Sequence, residues 1–333
     1  MNKERVNFFD NVKFFLMLLV VLCHFIDINL SKNYIFKSVF LMVYAFHMPL
    51  YIFISGLFFK LNDKNFVKAM SYIAISLVLK FIITIIRYAF NKPFNFRLFG
   101  NDGIHWFLFA LGVWILLTEY FAKIKIDLRI LLVMSALIAI MCGLDNTVGD
   151  DFAISRIIVF YPFYVLGVIL KPESILNIKK LKMSIFFVIC LLIWIFACVF
   201  FINTKIYSLR PFFTGRNSFS KTAYNGLFGI EFRIISYGIS LTTGLGFLSI
   251  VTDKYIPIIT DFGGRTIQVY FWHNIVRDIL QLTGVRPMLA NSLGGGVALV
   301  VISICLTFLL STKIFSFPTK CLEAKNIIIK DDL

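Results

Sequence analysis

The chain has 333 residues, of which 59% are hydrophobic, 39 are Phe and only 15% are charged, with a formal charge of +15 and a mean hydropathy of +0.86. A soluble surface cannot be built from this inventory, and apolar stretches of about 17 to 25 residues recur, each able to cross about 30 Å of hydrocarbon as a helix. These lengths exclude a nucleic-acid-binding domain and a secreted disulfide scaffold, and the lack of strict alternation argues against a β-barrel.

Ten spans are predicted, over approximately 8–29, 36–59, 67–89, 105–122, 129–144, 153–170, 183–202, 225–250, 265–282 and 292–316. No repeat, low-complexity tract or linker divides them. The expected architecture is one all-α, polytopic transmembrane bundle, with its helical core over 8–316 and a short tail over 317–333. Lys60, Lys64 and Lys68 follow the second span, Lys123, Lys125 and Arg129 the fourth, and Lys171, Lys179, Lys180 and Lys182 the sixth. Basic connectors stay inside, so both termini are expected in the cytoplasm. Asp145, Asp150 and Asp151 after the fifth span fit an outer connector, whereas 90–104 and 203–224 are outer connectors that carry bases against the trend. The basic surplus therefore orients the chain and meets anionic membrane lipids, and nucleic acid is not an expected partner. The first span lacks a small-residue cleavage site and carries Lys13 and His24, so it reads as a retained helix.

All four histidines, His24, His47, His105 and His273, lie within or at the end of an apolar segment. Ionisable groups at membrane depth are costly and face a bundle interior or a wet cavity, so four together point to a site, although each alone also suits a packing role. Lys13 and His24 are eleven positions apart, almost three helical turns, and so share one face about 16 Å apart along the axis. That spacing suits a long ligand with phosphates at one end and a reactive group at the other; snorkelling to the interface is the plainer role for Lys13. Asp27, one turn beyond His24, either orients the imidazole or marks the solvated end of the span. In the second span Pro49 bends the helix near His47, and Ser55 and Gly56 allow another backbone to approach. Arg87 and Arg156 are costly charges at span ends, suited to phosphate or to interfacial anchoring, and Arg233 either adds to them or pairs with Glu231 or a helix end. The connector 203–224 sets Phe212, Phe213 and other rings among bases that include Arg216, a composition for stacking on sugars or for anchoring in headgroups. Five of the six cysteines sit inside apolar segments without metal-ligand spacing, so they are expected to pack, and no metal is expected.

The residues also carry a family resemblance. Lys13, ten residues and then His24, followed by FHMPL and FISG in the second span, resembles the membrane acyltransferase-3 family, and within it the branch of fucose 4-O-acetylase and related sugar O-acetyltransferases. GIHWFLFALGVW at 103–114, SRIIVFYPFYVLGVIL at 155–170 and GGRTIQVYFWHN at 263–274 resemble later family segments in the same order. The resemblance implies transfer of acetyl from cytoplasmic acetyl-CoA to a hydroxyl of a surface polysaccharide or a lipid-linked oligosaccharide precursor, in a bacterial plasma membrane. It implies a catalytic His24 and a donor-binding Lys13. Some relatives fuse an extracellular hydrolase-like domain, and this chain is expected to work without one.

The residues and the resemblance together give the site expectations. His24, Asp27 and His47 are the catalytic candidates; Lys13, Arg87 and Arg156 the acetyl-CoA contacts; His105, Trp106, Phe212, Phe213, Arg216 and His273 the acceptor contacts. Chemically, a neutral imidazole can take the proton of an attacking hydroxyl or accept acetyl itself, and the sequence leaves both open. A transporter or flippase using the buried His, Lys and Arg as a pathway is the alternative, against which the absence of an inverted repeat argues.

Overall fold

The computed structural model describes residues 3–96, 105–148, 153–178 and 183–322, and all regular structure among them is helical. The chain runs through α1 (Lys3–Ile26), α2 (Tyr34–Tyr44), α3 (His47–Leu57), α4 (Asn65–Ala89), α5 (Trp106–Lys123) and α6 (Leu128–Met141). It continues through α7 (Ile154–Ile169), α8 (Pro172–Ile178), α9 (Met183–Phe200), α10 (Arg210–Thr214) and α11 (Gly226–Ile250). It ends with α12 (Ile259–Gly263), α13 (Thr266–Leu282), α14 (Val285–Leu289), α15 (Leu293–Leu310) and α16 (Thr319–Leu322). Each of the ten predicted spans corresponds to one long helix or, for the second, to the α2–α3 pair. Among the described residues, six of these segments are long and apolar enough to cross a membrane, and Leu128–Leu144 and Ile154–Ile169 are shorter apolar helices. The connector charges at Arg97, Asp150, Asp151, Lys179, Lys180 and Lys182 lie outside the described residues.

The second span is interrupted because Pro49 has no N–H to give to the carbonyl of Ala45. Phe46 leaves helical geometry at φ −129°, and the freed Ala45 carbonyl accepts from Ser240 Oγ of α11 at 2.5 Å. The break thus becomes a tie between two helices. Close approach elsewhere depends on glycine. A Cβ on Gly56 would collide with the carbonyl of Tyr164, and one on Gly167 with the carbonyl of Phe53, so α3 and α7 cross backbone to backbone through reciprocal glycines.

Helix α1 lies at the centre, its Phe8, Phe9, Val12 and Leu16 all buried, against α12, α13 and α15. Its first half is held by the buried Asn11, whose amide donates to the carbonyls of Thr252 and Lys254, each at 2.9 Å, and accepts from Thr260 Oγ1 at 2.6 Å. The outer helices invert the soluble pattern: Ile130, Val133 and Leu137 on α6, and Ile185, Leu192 and Phe196 on α9, are exposed. Such faces match hydrocarbon, not water. Of the cysteines, Cys23 and Cys198 are buried, Cys142 and Cys190 half-buried, and Cys305 and Cys321 exposed. The beginning of the predicted tail is packed. Trp272 Nε1 donates to the carbonyls of Phe315 and Phe317 at 3.0 Å each, Thr319 is buried, and Ser71 Oγ on α4 bonds the carbonyl of Leu322.

Candidate functional site

A cavity of about 970 Å³ opens at the end of the bundle reached by the C-terminus of α1. The C-terminal halves of α4 and α13, the N-terminal ends of α5 and α7, the α2–α3 break and the α10 segment surround it, as an alternating up-and-down chain requires of one end. It gathers His24, Asp27, His47, Arg87, His105, Trp106, Arg156, Phe213 and Arg216, nine of the twelve candidate residues.

His24 stands on the last turn of α1. Its ring stacks on that of His273, with centroids 5.6 Å apart and planes 18° from parallel, which brings a tenth candidate beside the site. Neither nitrogen of His24 has a hydrogen-bond partner among the described residues. The backbone is held firmly instead. The last carbonyls of a helix have no intrahelical donor, and here two arginines supply it. Arg277 Nε donates to the carbonyl of His24 at 3.1 Å, and Arg286 Nη2 donates to the same carbonyl at 2.9 Å and to that of Phe25 at 3.3 Å. Asp27 completes the clamp by pairing with Arg286 and, at 3.3 Å, with Arg277. Its carboxylate makes no hydrogen bond to the His24 ring, so of the two roles open to Asp27 the ring-orienting one is not seen; the Asp, at the partly exposed end of the span, ties two arginines to the same turn.

His47 and His273 are locked in orientation. Nδ1 of His47 donates to the carbonyl of Val43 at 2.9 Å, and Nδ1 of His273 to that of Val269 at 2.8 Å. A carbonyl only accepts, so the proton sits on Nδ1 and Nε2 is left as the basic nitrogen in both. Asn274 behaves likewise: its amide nitrogen donates to the carbonyl of Tyr270 at 2.7 Å, leaving Oδ1 buried and without a partner, as is Nε2 of His273. Asn274 lines the cavity with His24.

Other cations line the cavity. Arg87 forks onto Asp278 with Nε and Nη2 at 2.9 and 2.8 Å. Arg156 lies 4.6 Å over the ring of Trp106, which stacks on Phe160, and Arg210 lies 5.2 Å from the ring centre of Phe40. Ser155 Oγ donates at 2.6 Å to the carbonyl of Gly215, whose positive φ of 64° turns the chain and delivers Arg216 to the cavity. Lys80 reaches it from α4, buried to 4% exposure.

Two candidates fall elsewhere. Lys13, near the middle of α1, is ion-paired with Asp10 at 2.6 Å and does not line the cavity, so Lys13 does not share one site with Arg87 and Arg156. Phe212 is not an exposed stacking surface: it is 2% exposed, packed against Phe219 and Phe232. Arg233 does not turn to Glu231; its Nη1 donates to the carbonyl of Phe212 at 2.8 Å, with its guanidinium near the rings of Phe212 and Phe219. The residues that sequence reasoning missed are Lys80, Arg210, Asn274, Arg277, Asp278 and Arg286. For Arg277 and Asp278 there was a signal, two adjacent charges inside a predicted span. Arg286 looks like any basic connector residue until the fold brings it to α1.

Comparison with known proteins agrees with this geometry. Over 214 residues, 59% of this chain and 56% of the relative, the sequence is 25% identical to nodulation protein NolL of Sinorhizobium fredii. The chain thus spans about half the length of that curated relative. No solved structure matches. Residues 6–312 match the family described as the acyltransferase domain of the acyltransferase-3 type. With almost the whole helical bundle inside that match and its first-span histidine opening into the cavity, the chain belongs to the membrane acyltransferase-3 family.

Proposed function

We propose that this membrane acyltransferase is a sugar O-acetyltransferase of the bacterial plasma membrane, moving acetyl from cytoplasmic acetyl-CoA to a hydroxyl of a surface polysaccharide or of its lipid-linked precursor. The observation that carries the reading is His24: an imidazole with both nitrogens uncommitted, on a backbone clamped by Arg277 and Arg286, at the wall of a cavity large enough for a glycan segment. In the proposed reaction the acceptor hydroxyl gives its proton to His24 as its oxygen bonds to the thioester carbonyl carbon. The C–S bond then breaks, and the proton passes to the departing thiolate to give free CoA. Lys13, about three turns before His24 on α1, meets the phosphates of the donor, and Asn274 on the cavity wall aligns the sugar.

The test uses purified protein in nanodiscs with acetyl-CoA and a panel of oligosaccharides, with thiol release and product mass as readouts. Wild type is expected to release CoA in step with acetylated glycan, and His24→Ala to bind donor yet transfer nothing. A well-folded His24→Ala variant with native turnover would overturn the assignment. Acetyl-label retained on the protein after a rapid denaturing quench near neutral pH, and lost on acidification, would direct the chemistry through an acyl-imidazole instead.

A further inference from the structure

Among the described residues, the cavity wall carries seven cationic side chains and two carboxylates. Arg277 is set against Asp27 and Arg87 against Asp278. The wall also carries Lys80, Lys92, Arg156, Arg210 and Arg216, whatever their partners. The segments of the two neighbouring connectors outside the described residues contain three acids, Asp102, Asp150 and Asp151, and one base, Arg97, so even their full charge leaves the balance positive. These cations come from separate parts of the fold: α4, the connector after it, the start of α7, and α10 with its following turn. Charges of one sign gathered from distant sequence positions around one low-dielectric recess focus their potential into it. Two features show that the arrangement is built. Lys80 is only 4% exposed, and Nε of Arg210 is buried without a hydrogen-bond partner, an expense a native structure usually offsets with a ligand or water. A neutral glycan has no use for such a wall.

We propose that the acceptor of this site is an anionic glycan, one carrying a uronate carboxylate or a phosphate within a few ångströms of the hydroxyl that is acetylated. The inference rests on the acyl-transfer reading of the same cavity and adds the acceptor's charge. The hydroxyl lies on the side of His24 and Asn274, and the anionic group lies on the side of Arg210, Arg156 and Lys80. Arginine supplies a fork that matches either carboxylate or phosphate, so the two sources share one recognition chemistry.

The experiment compares a hexuronate-containing oligosaccharide with the same oligosaccharide after carboxyl reduction, and a neutral sugar with that sugar esterified to polyprenyl diphosphate. Binding is read by thermal stabilisation without donor, and transfer by CoA release with acetyl-CoA. The charged member of at least one pair is expected to have a kcat/KM about tenfold above its neutral partner, equivalent to about 1.4 kcal/mol, and that advantage should shrink as salt rises. Arg210→Gln should lower kcat/KM for the charged acceptor and narrow the gap within the pair. Which pair responds separates carboxylate from phosphate. Equal stabilisation and equal kcat/KM within both pairs would overturn the proposal, as would an Arg210→Gln effect confined to the KM for acetyl-CoA, which would assign the wall to the donor. Charge-selective binding with no acetyl transfer to any acceptor would instead sink the transferase reading and leave the anion site standing.

Discussion

Replacing Arg286 with Ala tests whether the clamp on α1 positions the reacting group. Arg286 is 2% exposed, and its guanidinium serves three acceptors on one turn: the carbonyls of His24 and Phe25 and the carboxylate of Asp27. Breaking a buried ion pair by removing one partner costs about 3–5 kcal/mol. The lower end applies here, because the Asp27 side chain is 28% exposed and keeps Arg277 at 3.3 Å. About 3 kcal/mol weakens the fold without abolishing it. The kinetic effect should be more specific. With only the Arg277 hydrogen bond left on its carbonyl, the last turn of α1 can fray, and a displacement of about 1 Å at a reacting group costs on the order of 100-fold in rate. We therefore expect Arg286→Ala to lower kcat about 100-fold with the KM for acetyl-CoA unchanged. Arg286→Lys should recover more of the stability than of the rate, since a single ammonium cannot fork across three acceptors. The assay is CoA release by purified variants in nanodiscs, alongside thermal unfolding. A folded Arg286→Ala enzyme with native kcat, or one whose loss lies entirely in KM, would refute the positioning argument and leave the clamp a purely structural device.

Lys13→Ala should raise the KM for acetyl-CoA about tenfold, the loss of one charge-assisted hydrogen bond, and saturating donor should restore the rate; a kcat defect at unchanged KM would place donor phosphates elsewhere. In a cysteine-free background, Asn146→Cys and Ser174→Cys, both at exposed connector positions, should label with an impermeant maleimide from opposite sides of the membrane; labelling from one side would contradict the orientation with both termini inside. Gly167→Ala drives a methyl group into the carbonyl of Phe53 at the α3–α7 crossing and should cost about 1–3 kcal/mol in unfolding; an unchanged unfolding temperature would show that the crossing relaxes freely.

Span positions were legible in the sequence because apolar length is a one-dimensional property, and each predicted segment, from 8–29 to 292–316, finds its helix. The break inside 36–59 was half legible: Pro49 announces a disturbed helix, but only the fold supplies Ser240 to take the freed carbonyl. Short helices such as α10 and α14 left no periodic signal, since five residues make little more than one turn. At the site, His24 stood out because an imidazole in hydrocarbon is costly in any fold. The partners of Asp27 were not legible, because its nearest ionisable neighbour in sequence is His24, whereas its partners in space, Arg277 and Arg286, lie 250 and 259 positions away. Phe212 and Arg233 show the same limit: the aromatic and basic content of 203–224 was visible, but not that its centre folds inward around a guanidinium.

The fixed tautomers of His47 and His273 bear on where a proton can travel. Each ring has spent its Nδ1 proton on a carbonyl of its own helix, so neither offers a donor that could hand a proton to His24. No continuous wire of hydrogen bonds therefore runs from His24 through these two imidazoles into the bundle. Under the proposed chemistry, a proton lifted from the sugar has a cul-de-sac on one side and the cavity on the other. The quickest exit is the sulfur leaving in the same turnover, which would couple cleavage of the thioester to ester formation without charge passing through the membrane interior.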